Sequence, residues 1–96
     1  MEKIYVAGKV TGMEDQAKEL FARAVEQLRD AGKEPVNPMR LNHAHDGKWE
    51  SYMKVCIPAL CSCDSIYMLP NWRQSRGANV EHSLAEKLGM CIYYEL

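Results

Sequence analysis

A surplus of charge is the first thing this chain lacks. Twelve Lys and Arg stand against thirteen Asp and Glu, a formal net charge of −1. That balance gives no support to a surface for a nucleic acid polymer. Long apolar runs are missing too, since nothing approaches the ~20 residues that span a bilayer. Met1 leads into Glu2, Lys3 and a strand-like run, not a signal peptide, so the expected location is cytoplasmic with no membrane partner. Cys56, Cys61, Cys63 and Cys91 make neither CxxC pairs nor a secreted disulfide framework, and free thiols in a reducing compartment are the plainer reading. Neither a Walker A motif nor GxGxxG is present, so no cofactor is expected.

What is there fits one small soluble domain over residues 1–96, whose 47% apolar content is enough for a single core. Lys3 to Ala7 reads as a buried strand, followed by the loop Gly8-Lys9-Val10-Thr11-Gly12. Thr11 and Glu14 have capping-box spacing, and Ala17, Leu20, Phe21, Ala24, Val25 and Leu28 form a helical stripe ending at Ala31-Gly32. Lys33 to Val36 is a second strand, and Pro38 to Lys48 is polar and irregular. Trp49 to Cys61 reads as a helix that Pro58 either kinks or divides. Asp64 opens a third strand through Leu69, Gly77 to Leu88 is a third helix with Gly89 at its cap, and Met90 to Tyr94 is a fourth strand. The order βαβαβαβ predicts a doubly wound (Rossmann-like or flavodoxin-like) parallel sheet of about four strands with helices on both faces. Ligand sites in such sheets lie beyond the carboxyl ends of the strands at the switch point. Here that sets the loop Gly8 to Gly12 against the loop Pro70 to Gly77.

Glu81 breaks the pattern of the third helix. It shares a face with Ala78, Leu84, Ala85 and Leu88, where an acidic side chain is costly without a partner or a substrate. With Ser75 and Gly77 it forms S-x-G-x-x-x-E, in which Gly77 admits close approach, Ser75 offers a hydroxyl, and Glu81 suits a nucleophile toward a sugar carbon. The alternative is a Glu that caps its helix or pairs with Arg73 or Arg76, which the apolar face argues against. The first loop, taken alone, is better read as a tight turn than as an anion site, although Gly8 and Gly12 permit both. Trp72 is a stacking platform or a lid over the core, and the residues do not decide between them. His43, His45 and Asp46 are read as exposed, so no metal site is expected. Asp64, at the far end of its strand, is structural, and His82 is read as solvated.

These segments resemble the nucleoside 2-deoxyribosyltransferase-like superfamily, which includes 2'-deoxynucleoside 5'-monophosphate N-hydrolases. The likeness covers nearly the whole chain and is closest to a small bacterial and phage branch. It rests on Ile4-Tyr5-Val6-Ala7-Gly8-Lys9-Val10-Thr11-Gly12, and on Cys63-Asp64-Ser65-Ile66-Tyr67-Met68-Leu69-Pro70-Asn71-Trp72 running into Ser75-Arg76-Gly77-Ala78-Asn79-Val80-Glu81. The resemblance implies Glu81 as nucleophile, with Tyr5 as a second catalytic residue. It implies contact of Tyr5 and Gly8 with sugar and base, and a 5'-phosphate held by Ser75 and Gly77. Lys9, Val10, Thr11 and Trp72 complete the expected substrate-binding set. The implied partner is a small-molecule nucleoside or nucleotide, in a protein that forms homo-oligomers. One position departs: the second carboxylate of the superfamily falls on Cys56. The two functions implied are therefore an N-glycosidase or deoxyribosyltransferase, and a nucleotide-binding module with the same pocket and little or no chemistry.

Overall fold

A computed structural model describes residues 1–42 and 47–95. Four strands, β1 (Lys3–Ala7), β2 (Glu34–Val36), β3 (Ser65–Met68) and β4 (Cys91–Tyr94), form one all-parallel sheet in the order β2-β1-β3-β4. Three helices connect them: α1 (Glu14–Asp30), α2 (Trp49–Cys61) and α3 (Arg76–Lys87). Short 3-10 turns lie at Pro38–Arg40 and Trp72–Gln74. The predicted α/β architecture is therefore the observed one.

Side chains alternate across β1, and each set builds its own core. Ile4 and Val6 pack with Ala17, Phe21, Ala24 and Leu28 of α1. Tyr5 and Ala7 point the other way, onto Cys56 and Leu60 of α2 and Ala78 and Ala85 of α3. A strand buried on both faces needs an apolar run, which is why Ile4 to Ala7 is continuously hydrophobic. The chain places Pro35 on the edge strand β2, where a missing N–H is tolerated. Asp64 is held at the opposite end of the sheet from the loops described below, accepting from the Lys3 N–H at 2.9 Å while its own N–H donates to the Lys3 carbonyl at 2.8 Å.

Four local expectations need correction. Thr11 and Glu14 make no capping box: Met13 is the N-cap without a side-chain bond, and Glu14 accepts from the Gly12 N–H at 3.2 Å. Pro58 does not divide α2, because it sits in the last turns, where its ring deprives only the Lys54 carbonyl of a partner. Leu88 is 54% exposed, since α3 ends at Lys87 and the chain turns away through bonds from Gly89 N–H to Glu86 O and Met90 N–H to Ala85 O. His82 is half-buried, not solvated: its ring stacks on Trp72 at 4.3 Å and its Nε2 lies 2.7 Å from the Tyr94 hydroxyl. His43, His45 and Asp46 lie outside the described residues, among which no group of three metal-ligating side chains occurs. No helix among the described residues is long and apolar enough to cross a membrane.

Candidate active site

The strand order reverses between β1 and β3, and a cleft of 870 Å³ opens beyond the carboxyl ends of those strands. The first loop and the second meet there. The Lys9 N–H donates to the Asn71 side-chain oxygen at 3.1 Å, tying one loop to the other. Gly8 is required for this approach: a Cβ there would lie 2.7 Å from Leu69 Cδ1 and 2.9 Å from Leu69 Cβ, and Leu69 is fully buried.

Glu81 stands in the second turn of α3, facing the sheet, and is 5% exposed at the floor of the cleft. The Tyr5 hydroxyl donates to its Oε2 at 2.5 Å across 76 residues of sequence. Burial pushes the Glu81 carboxyl up from 4.5 to about 7, against the opposing pull of the Tyr5 hydrogen bond. Burial, followed by the neighbouring Glu81 charge, holds the Tyr5 hydroxyl far above its ordinary range, so it remains a donor. A desolvated carboxylate oriented by one strong donor, with cleft space above it, is suited to nucleophilic attack or to stabilising a developing positive charge.

Cys56 lies behind this pair. It is fully buried, does not line the cleft, and sits within hydrogen-bonding reach of the Tyr5 and Tyr52 hydroxyls. Burial raises its thiol, which is therefore neutral beneath the carboxylate. Among the described residues of the cleft, the carboxylates are Glu81 and Glu14, and Glu14 is at the first loop with the Gly12 amide.

Ser75 is the N-cap of α3, its hydroxyl accepting from the Ala78 N–H at 3.1 Å while keeping its own proton to donate. The Asn79 side-chain amide donates to the carbonyls of Ser75 (2.7 Å) and Arg73 (3.1 Å), fixing the turn that presents Ser75. Gly77 lets α3 sit against α2, since a Cβ there would come within 3.1 Å of Met53 Sδ. By helix geometry the amides of Arg76 and Gly77 have no acceptor within α3. Gly8, Lys9, Val10, Thr11, Ser75, Gly77, Tyr5 and Glu81 all line the one cleft.

Trp72 does not. It is 8% exposed, outside the cleft, between His82 and the Arg73 guanidinium, which lies 4.7 Å from its ring centroid. The 3-10 turn at Trp72–Gln74 folds the ring under α3, so of the two readings the core one is observed. The aromatic wall is supplied by α2, through Trp49 and Tyr52. Sequence reasoning took these for helix positions alone. The signal was present in their place at the start of a helix, next to the loop that leaves the carboxyl end of β2.

Solved structures of two enzymes share this fold. The 2-deoxyribosyltransferase of the psychrotolerant bacterium Bacillus psychrosaccharolyticus is 23% identical, with a TM-score of 0.73 over 96% of this chain and 70% of that one. The CMP N-glycosidase BcmB of Clostridium botulinum is 19% identical, with a TM-score of 0.66 over 97% of this chain and 67% of that one. The chain thus shares the fold of these two proteins. No curated protein matches by sequence. The chain belongs to the family described as a domain of unknown function, DUF4406, which matches residues 2–94.

Proposed function

We propose that the protein cleaves or transfers the N-glycosidic bond of a deoxynucleoside or its 5'-monophosphate, with Glu81 as nucleophile. The observation that carries this reading is the Glu81 carboxylate at the cleft floor, buried yet bonded by the Tyr5 hydroxyl at 2.5 Å. In the reaction one Glu81 oxygen attacks the anomeric carbon. The C–N bond breaks with its electron pair passing to the base, which takes a proton from water in the open cleft as it leaves. The glycosyl ester on Glu81 is then opened by water or by a second base. Tyr5 Oη fixes the other carboxylate oxygen, so the attacking one keeps its direction. A carboxyl titrating at about 7 is ionised in a useful fraction at neutral pH and is a better nucleophile than an ordinary one. Ser75, Gly77, Lys9 and the first-loop amides form the cradle for a 5'-phosphate, where charge-assisted hydrogen bonds are worth ~1.5–3 kcal/mol each.

The similarity to a deoxyribosyltransferase and a CMP N-glycosidase supports the reaction class. Chromatography of reactions with a panel of nucleosides and nucleoside monophosphates tests it: free base should accumulate from at least one member. No release from any would contradict the enzymatic reading. Cys56 favours a second reading, a nucleotide-binding module. It puts a neutral thiol where the resemblance implies a second acid, and loss of a general acid costs roughly 10²–10⁴-fold. Tight nucleotide binding without base release would decide for that module.

A further inference from the structure

Two arginines lie against tryptophans, and the two pairs have different surroundings. The guanidinium carbon of Arg76 is 3.7 Å from the ring centroid of Trp49, and that of Arg73 is 4.7 Å from that of Trp72. Arg76 and Trp49 both line the cleft, whereas Arg73 and Trp72 do not.

We propose that Arg76, held on the face of Trp49, is the residue that selects ligands carrying an oxyanion, and that Trp49 positions it. The inference rests on the nucleotide reading of this cleft and names the side chain that separates a nucleotide from its nucleoside.

Charge balance is the first argument. Among the described residues Arg76 has no ion-pair partner, and neither has Lys9, which lines the same cleft. Of the two acidic side chains there, Glu81 is bound to Tyr5 on the floor and Glu14 accepts from the Gly12 amide. Among the described residues, positive charge therefore faces the ligand space without a counter-charge. A cation in the first turn of a helix is also at the unfavourable end of the helix dipole, a cost that an anion between the two would reverse.

Geometry is the second. A separation of 3.7 Å is that of a guanidinium stacked on the indole face. Stacking uses the π-face and leaves the N–H edges free in the plane, the fork that matches two oxygens of a phosphate. The backbone beneath is fixed as well. A Cβ on Gly77 would lie 3.5 Å from Trp49 Nε1 and 3.1 Å from Met53 Sδ, so the first turn of α3 rests directly on α2. An arginine already resting on the Trp49 ring loses less freedom when it binds than one extended into solvent.

Calorimetry of the whole chain with the four 2'-deoxynucleosides, their 5'-monophosphates and inorganic phosphate tests this. Arg76→Ala should weaken monophosphate binding by about 10- to 100-fold, leave nucleoside binding within about twofold, and abolish competition by inorganic phosphate. Arg76→Lys should recover part of the loss, because a point charge lacks the fork. Trp49→Leu should shrink the nucleotide-over-nucleoside preference although Arg76 remains. Arg73→Ala, in the pair outside the cleft, should bind as the wild type does. A wild type without that preference, an Arg76→Ala variant that keeps it, or an equal loss in Arg73→Ala would overturn the inference. None of these readouts needs turnover. A protein that binds in this pattern yet releases no base refutes the glycosidase reading alone.

Discussion

Replacing Glu81 by Gln should make the protein less sensitive to alkali, and the size of that effect follows from the burial of the carboxyl. Its unfolded value is 4.5 and its folded value about 7. Between those values the folded state keeps a proton that the unfolded chain has released, so this group's contribution is full below about 4.5 and is lost as pH rises through about 7. At 1.36 kcal/mol per unit of pKa, the loss between pH 5 and pH 8 is about 2–3 kcal/mol. Glutamine has nearly the same shape, can still accept from Tyr5, and has nothing to titrate. Urea denaturation of both proteins at pH 5 and pH 8 gives the double difference, in which every other titrating group cancels. With slopes of ~1–3 kcal/mol/M, the variant should gain about 1–2 M in midpoint relative to the wild type at the higher pH. Parallel pH profiles for the two proteins would refute the reasoning, because they would mean that burial does not resist ionisation of Glu81. A residue whose removal lessens the loss of stability above neutral pH is what a carboxyl in a desolvated site produces.

Three further outcomes are expected. Tyr5→Phe removes the hydrogen bond that pulls Glu81 down, so the alkaline-going rise of base release should shift to higher pH than about 7, which a pH–rate profile would show. Gly8→Ala forces a methyl to within 2.7 Å of buried Leu69 and should cost ~1–3 kcal/mol by thermal or urea unfolding. Cys56→Asp buries a second carboxyl behind the Glu81–Tyr5 pair, out of reach of a leaving base, and should lower the urea midpoint without raising base release. A gain in rate would show instead that a side chain at position 56 reaches the cleft.

The strands and helices were legible because their signals are local. The continuous run Ile4 to Ala7 could serve only a strand covered on both faces, and the apolar spacing around Glu81 was enough to turn that carboxylate toward the sheet. The resemblance brought Tyr5 to the site as a contact for sugar and base, but nothing in the sequence made it the partner of Glu81, 76 residues away. What escaped depends on how elements cross. Trp72 is adjacent to the cleft in sequence, but a 3-10 turn carries its ring under α3 to meet His82, so two residues change roles together. Trp49, Tyr52 and Arg76 face the ligand space because α2 and α3 pack closely at Gly77, a contact that neither helix's own periodicity encodes. Leu88 fits the stripe by spacing and fails it because the helix has already ended.

The central claim is that Glu81 supplies the attacking oxygen. Base release by the wild type and by Glu81→Gln, measured by chromatography on whichever member of the nucleoside and nucleotide panel is cleaved, tests it most directly. The account predicts release by the wild type, and its loss in the variant while nucleotide binding and the fold persist. Undiminished release by Glu81→Gln would contradict it.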